Sequence, residues 1–196
     1  MTEPILHSPR GERVYLRPSE RADIPLFTRW FADAEFTRFL SVRVPFSEAA
    51  EEKWFDEMTA IQGVKGWHFV ICRLDTDEPL GTAGLFDYSG EPGTAEFGIG
   101  LGEKSAWNQG YGTDALRAIC DFGFGEIRLE RIYLRVYAGN ARAIRSYEKA
   151  GFVHEGTLRE AHFSEGAYSD VHMMGLLRSE WAADPRPKSW QLNGFG

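Results

Sequence analysis

The spacing of apolar residues along this chain changes period once, near residue 66. Before that point it is helical. Ile24, Phe27 and Phe31 share one side of a segment that Ser19 is placed to cap, and Ala50, Trp54, Phe55 and Met58 form a face over 48–60 behind a second cap, Ser47. A short strand over 14–17, stopped by Pro18, comes first, and another helical turn is expected over 34–40. From residue 67 the pattern is that of strands. Segments 67–74 and 80–88 flank the polar turn Asp75-Thr-Asp-Glu-Pro79 and predict an antiparallel hairpin, with 95–101 as a third consecutive strand. Strand–helix–strand–helix follows: helix 113–124, strand 131–137, then a helix from Asn140 that Gly151 is suited to end in a left-handed conformation. Segments 153–155 and 171–177 close the sheet. The order predicts an α+β fold, a mixed, mainly antiparallel central sheet flanked by helices.

A length of 196 residues suits one domain or at most two, and 43% hydrophobic residues suffice for a sizeable core. Residues 1–11, with Pro4, Pro9 and Gly11, read as an extended tail, 12–181 as the folded body and 182–196, opening on Asp184-Pro-Arg-Pro, as a loose tail. A formal charge of -7 argues against binding a nucleic-acid backbone, which needs a basic footprint. It is compatible with a cationic amine, although solubility alone also accounts for it. Cys72 and Cys120 have neither metal nor redox spacing and read as reduced core residues; no metal site is expected. The start lacks the basic and apolar runs of a signal peptide, and no stretch is apolar enough to span a membrane, so a cytoplasmic, soluble protein is expected.

Candidate chemistry begins at Trp107-Asn108-Gln109-Gly110-Tyr111-Gly112-Thr113, between the strand 95–101 and the helix 113–124. Two glycines at the mouth of a helix leave outward-pointing N–H groups with no Cβ to block a ligand, and a helix start attracts phosphate oxygens. The segment reads as a pyrophosphate cradle. A Walker loop fails, because counting from Gly98 puts Glu103 where the second glycine belongs. Gly110-x-Gly112-x-x-Ala115 spells a dinucleotide fingerprint, but Gly102 to Gln109 separate it from the strand, which is the wrong context.

Downstream lies Asn140-Ala-Arg-Ala-Ile-Arg-Ser-Tyr147-Glu-Lys149-Ala-Gly151-Phe152. With this stretch the chain resembles the GNAT superfamily of acyl-CoA-dependent N-acetyltransferases. The loop matches that family's [RQ]-x-x-G-x-[GA] motif except that Trp107 replaces Arg or Gln, and the second stretch matches its N-x-x-[AS]-x-x-x-Y-x-K-x-G-F pattern. The two motifs together, with the tail Tyr168-Ser-Asp170-Val-His-Met-Met-Gly-Leu-Leu before Glu180-Trp181, look most like the ribosomal-protein-alanine acetyltransferase subgroup. The resemblance spans roughly residues 12–181. It implies a GNAT-like fold in which strands 95–101 and 131–137 splay apart and expose backbone groups to the pantetheine arm of acetyl-CoA. The residues implied to hold the coenzyme are Leu101, Gly102, Trp107, Asn108, Gln109, Gly110, Tyr111, Gly112, Thr113, Asn140 and Lys149.

Gly98, Gly100 and Gly102 suit a bulge or a close ligand approach, or mark a local twist. Asn140 is either the cap of its helix or, as the resemblance implies, also a pantetheine ligand. Tyr147, two helical turns on, is implied to be the general acid that protonates the departing thiolate; a free tyrosine, with a pKa of about 10, holds its proton at neutral pH. A packed aromatic ring is the other reading of Tyr147. Glu96 is the first candidate for the base that deprotonates the amine, acting directly or through water, or else an exposed carboxylate at a strand start. Asp170, Glu165, Asp33 and Glu35 are fallback acids, and His68, His154, His162 and His172 read as scattered surface or core residues. The function expected is direct acetyl transfer to a primary amine, a protein N-terminus of ribosomal type or, alternatively, a small amine such as a polyamine, an aminoglycoside or an amino acid; a non-catalytic acyl-CoA-binding module on the same fold is the other alternative, and the acceptor regions, 31–46 and 161–169, carry no decodable motif. A homodimer through a sheet edge or the aromatic N-terminal helices stays open.

Overall fold

The computed structural model describes residues 8–41 and 46–194. Most of the expected N-terminal tail, and part of the region 31–46, lie outside them. The described residues form a seven-stranded sheet in the order β1-β2-β3-β4-β5-β7-β6. β1 (Val14–Pro18), β2 (Trp67–Arg73), β3 (Pro79–Ser89) and β4 (Thr94–Leu101) pair antiparallel in succession. β5 (Arg131–Tyr137) runs parallel to β4, and β7 (Ala167–Leu177) lies between β5 and β6 (Val153–Ser164).

One face of the sheet carries α4 (Tyr111–Asp121), a π-helical turn after it (Phe122–Glu126), and α5 (Ala141–Lys149). Between them lies the main core, with Leu116, Ile119, Phe124, Leu85, Ile132 and Leu134 essentially inaccessible. Each such side chain contributes about 1.5–3 kcal/mol by leaving water. The other face carries α1 (Ile24–Phe31), α2 (Ala34–Thr37) and α3 (Glu48–Ile61), held by Phe27, Trp30, Phe36, Tyr15 and Val70.

Four details differ from the reading of the sequence. Ser19 does not cap α1: its Oγ lies 2.8 Å from His68 Nδ1, and a tight turn, Arg21–Asp23, leads into the helix. β6 is 12 residues long rather than three, and β7 begins four residues earlier than expected. The glycines of β4 have a packing reason. A Cβ at Gly98 would lie 3.1 Å from Phe86, one at Gly100 2.9 Å from Phe36, and one at Gly102, just past the strand, 2.2 Å from Trp30, so rings of the chain itself pack over these positions, while Gly98 and Gly100 also line the cavity between β4 and β5. Finally, the segment from residue 184 is not loose. α6 (Arg178–Ala183) and α7 (Ser189–Leu192) bring it back over α4. There the buried Asp121 carboxylate accepts from Trp181 Nε1 (2.8 Å), Ser189 N (2.8 Å) and Arg186 Nη2 (2.7 Å). A carboxylate this deep is tolerable only when its oxygens are paired, which ties the strap down.

Candidate active site

β4 and β5 pair only at Thr94–Arg131, Ala95–Ile132 and Glu96–Tyr133. β4 stays on β3 and β5 on β7, so past Glu96 the two strands diverge. The expected splay is present. It opens a cavity of about 660 Å³ that reaches both faces of the sheet. Strand alternation divides it. Phe97, Ile99 and Leu101 side with α4 and α5, whereas Glu96, Gly98 and Gly100 face α2. On β5, Val136 sides with the core, and Arg135 and Tyr137 with Glu96.

At the coenzyme end the loop 107–110 leads into α4. Asn108 (φ 59°) and Gly110 (φ 88°) are left-handed, which lifts the chain so that the amides of the turn face outward. Among the described residues no protein acceptor takes a hydrogen bond from the N–H groups of 108–113; the helical ladder begins at Asp114 N to Gly110 O, 3.0 Å. A Cβ on Gly110 would meet only Arg13 Nη1, at 3.6 Å, and one on Gly112 only Leu101 Cδ1, at 3.4 Å. The chain does not fill the space before these amides, which fits an anionic diphosphate at a helix start. Asp114, one turn in, faces away: its carboxylate accepts from the backbone N–H groups of Glu12, Arg13 and Val14 at 2.9–3.1 Å. Trp107 donates Nε1–H to Leu101 O (2.7 Å), and the Arg142 guanidinium lies 4.0 Å above its ring.

The cavity brings together Glu96, Leu101, Trp107, Asn108, Gly110, Gly112, Thr113, Asn140, Tyr147 and Lys149. Gly102, Gln109 and Tyr111 do not line it. Gly102 backs onto Trp30, the Gln109 amide bonds Ser105 O, and Tyr111 is buried beneath Arg13. Asn140 caps α5, with Oδ1 accepting from Ala143 N at 3.1 Å. Thr113 Oγ1 and Ser146 Oγ, 2.6 Å apart, tie the two helices together. Tyr147 packs edge-on to Phe97, 6.2 Å between centroids, and no described residue hydrogen-bonds its hydroxyl. Burial pushes its pKa well above the ordinary tyrosine value. The packed-ring reading of Tyr147 holds, and the residue also lines the cavity, which leaves room for the implied role as general acid. Both oxygens of Glu96 accept from one guanidinium, Arg135 Nε (2.8 Å) and Nη2 (3.0 Å).

Of the fallback acids none lines the cavity. Asp33 and Glu35 hold Lys104 at 2.6 and 2.8 Å, Glu165 pairs with Arg38 at 3.6 Å, and Asp170 accepts from Glu160 N at 2.9 Å. Among the histidines His162 lines it, stacked on Tyr137 with centroids 3.7 Å apart. His68 is buried elsewhere, and His154 and His172 share Thr157 Oγ1. Arg135, Arg142, Arg145, Phe36 and Phe39 also line the cavity and were not expected there. Helical spacing puts Arg142, Arg145 and Lys149 on one side of α5, and alternation along β5 puts Arg135 beside Tyr137; both signals were present in the sequence. Phe39 and His162 fall in the stretches 31–46 and 161–169 expected to border the acceptor, but no motif marked either residue. Among the described residues no group of three or more His, Cys, Asp or Glu could hold a metal ion, and no helix is long and apolar enough to cross a membrane.

Residues 13–153 match the sequence model of the acetyltransferase (GNAT) domain. The "Uncharacterized N-acetyltransferase p20" of Bacillus licheniformis is 31% identical over 173 residues, 87% of this chain and 96% of that protein. The spermidine N(1)-acetyltransferase of Vibrio cholerae is 35% identical over 88 residues, 45% of this chain and 50% of its own. A crystal structure of spermidine N-acetyltransferase from Vibrio cholerae, in complex with CoA and spermine, superimposes with a TM-score of 0.79 at 26% identity, over 86% of this chain and 98% of that one.

Proposed function

The chain belongs to the GNAT acetyltransferase family, and from that premise we propose that it transfers the acetyl group of acetyl-CoA directly to the primary amine of a small molecule. One observation carries the reading: six consecutive amides, 108–113, have no acceptor among the described residues at one end of the gap between β4 and β5, and Tyr147 lines the same cavity. The coenzyme is a substrate here. Its diphosphate fits the amides of the loop, and its pantetheine arm fits the unpaired edges of the diverging strands.

Holding amine and thioester together removes the entropic cost of their encounter. The amine nitrogen bonds to the acetyl carbon, and the carbonyl oxygen takes the negative charge, stabilised by backbone donors of β4. As the carbonyl re-forms the C–S bond breaks, and the sulfur takes the Tyr147 phenolic proton. The proton released by nitrogen after attack returns to Tyr147 through water. Burial holds that phenol in its protonated form, so the proton is present to be donated at neutral pH. Glu96 is proposed as the group that takes the ammonium proton before attack, with Arg135 orienting its carboxylate.

A small acceptor is favoured by the Vibrio cholerae neighbour, whose structure holds CoA with spermine. A protein N-terminus is the second reading, supported by the loop Trp107–Thr113 and the tail 168–177 that resemble the ribosomal-protein subgroup. Release of CoA from acetyl-CoA, measured with a set of small primary amines and with alanine-terminated peptides, separates them. Turnover of small amines supports the first reading; turnover of peptides alone overturns it in favour of the second.

A further inference from the structure

The half of the cavity facing away from the coenzyme has its own chemistry. One wall is Phe36, Phe39 and Leu40, from α2 and the chain just after it. Phe36 is fixed from behind by Gly100, whose missing Cβ leaves the space its ring occupies. The opposite wall is Tyr137 lying flat on His162, 20° between planes, with Leu158 beside them. At the floor sits Glu96, the one carboxylate among the described lining residues, and Arg135 already engages both its oxygens. The remaining charged lining residues, Arg142, Arg145 and Lys149, are cationic and belong to α5, on the coenzyme side.

A polyamine presents one ammonium to the thioester and must place its others somewhere. In this half of the cavity they meet Arg135 and a single carboxylate, Glu96, that Arg135 and the reacting ammonium already share, so each further ammonium loses hydration without gaining a partner. A flat apolar body gains, because it replaces water against rings on two sides. We propose that the acceptor is a primary monoamine carried on a short chain from an aromatic or similarly flat apolar group, held between the Phe36–Phe39 wall and the Tyr137–His162 stack. The proposal rests on the small-amine reading and narrows it away from the polyamine of the crystallographic neighbour.

The test is kcat/KM at saturating acetyl-CoA for 2-phenylethylamine, spermidine and an alanine-terminated peptide, read as CoA release. A preference of about tenfold or more for 2-phenylethylamine over spermidine is expected. Spermidine equal or better overturns this proposal and leaves the small-amine reading standing. Turnover of the peptide alone, or of no amine while calorimetry shows acetyl-CoA bound, overturns both. Phe39→Glu adds an unpaired carboxylate to the apolar wall and is expected to move the preference towards spermidine by about tenfold, with CoA titration confirming the fold. An unchanged ratio in that variant overturns the assignment of this wall to amine selection.

Discussion

Two helix starts border one cavity and are finished in opposite ways. At α5 the first turn is closed: Asn140 Oδ1 accepts from Ala143 N, as in any capped surface helix. At α4 no side chain caps the turn, the N-cap is a left-handed glycine, and the amides of 108–113 have no acceptor among the described residues. An unpaired helix start costs stability unless something satisfies it. The contrast supports the proposal that the α4 donors serve a ligand while the capped α5 start serves the fold.

The largest effect is expected from the reacting group between the two helix starts. Tyr147→Phe keeps the ring against Phe97 and removes only the proton donor, so kcat should fall about 10²-fold or more with CoA affinity nearly intact. An unchanged kcat, with chemistry shown to be rate-limiting, would take Tyr147 out of the mechanism. Next, Gly112→Asp makes the open helix start resemble the closed one. Its Cβ has room beside Leu101, and its carboxylate competes for the amides and repels phosphate, so the KM for acetyl-CoA should rise by about 10–100-fold without loss of thermal stability. A KM within a factor of two of the parent would mean that the amides are not the phosphate site. Glu96→Gln, which keeps the shape but cannot take a proton, should lower kcat/KM by about tenfold on the acid side of the pH profile. A uniform decrease at every pH would instead assign Glu96 to positioning. The smallest effect belongs to the closed helix start. Asn140→Ala should cost about 1 kcal/mol of stability, a fall in Tm of about 2–4 °C. A rise of more than tenfold in the KM for acetyl-CoA in that variant would show Asn140 to be a coenzyme ligand as well as a cap.

Parts of this division were legible in the chain. The loop 107–113 is spelled contiguously, and its chemistry, glycine freedom and helix-start donors, is local. Tyr147 and Asn140 were singled out by the resemblance of 140–152 to the family pattern, and seven residues along a helix return to one side, so both line the cavity. The acceptor wall was legible only as the stretches 31–46 and 161–169, not residue by residue. Phe39 and His162 lie at opposite ends of the folded body in sequence and come together through sheet order. β6 was recognised only at its start, because Val153–Ser164 is largely exposed and so carries no apolar alternation to read.

Local spacing in this chain was enough to indicate which segments become strands and helices, where a helix start stays uncapped, and which hydroxyl lies two turns into α5. Those properties depend on neighbours within a few residues and on backbone sterics. Partners distant in the chain were set by packing: Arg135 on Glu96, Arg142 on Trp107, the rings of Phe86, Phe36 and Trp30 over the β4 glycines, and the Asp121 anchor that holds the C-terminal strap. A buried charge or an absent Cβ finds its complement wherever the sheet brings one, and no periodicity along the chain records where that is.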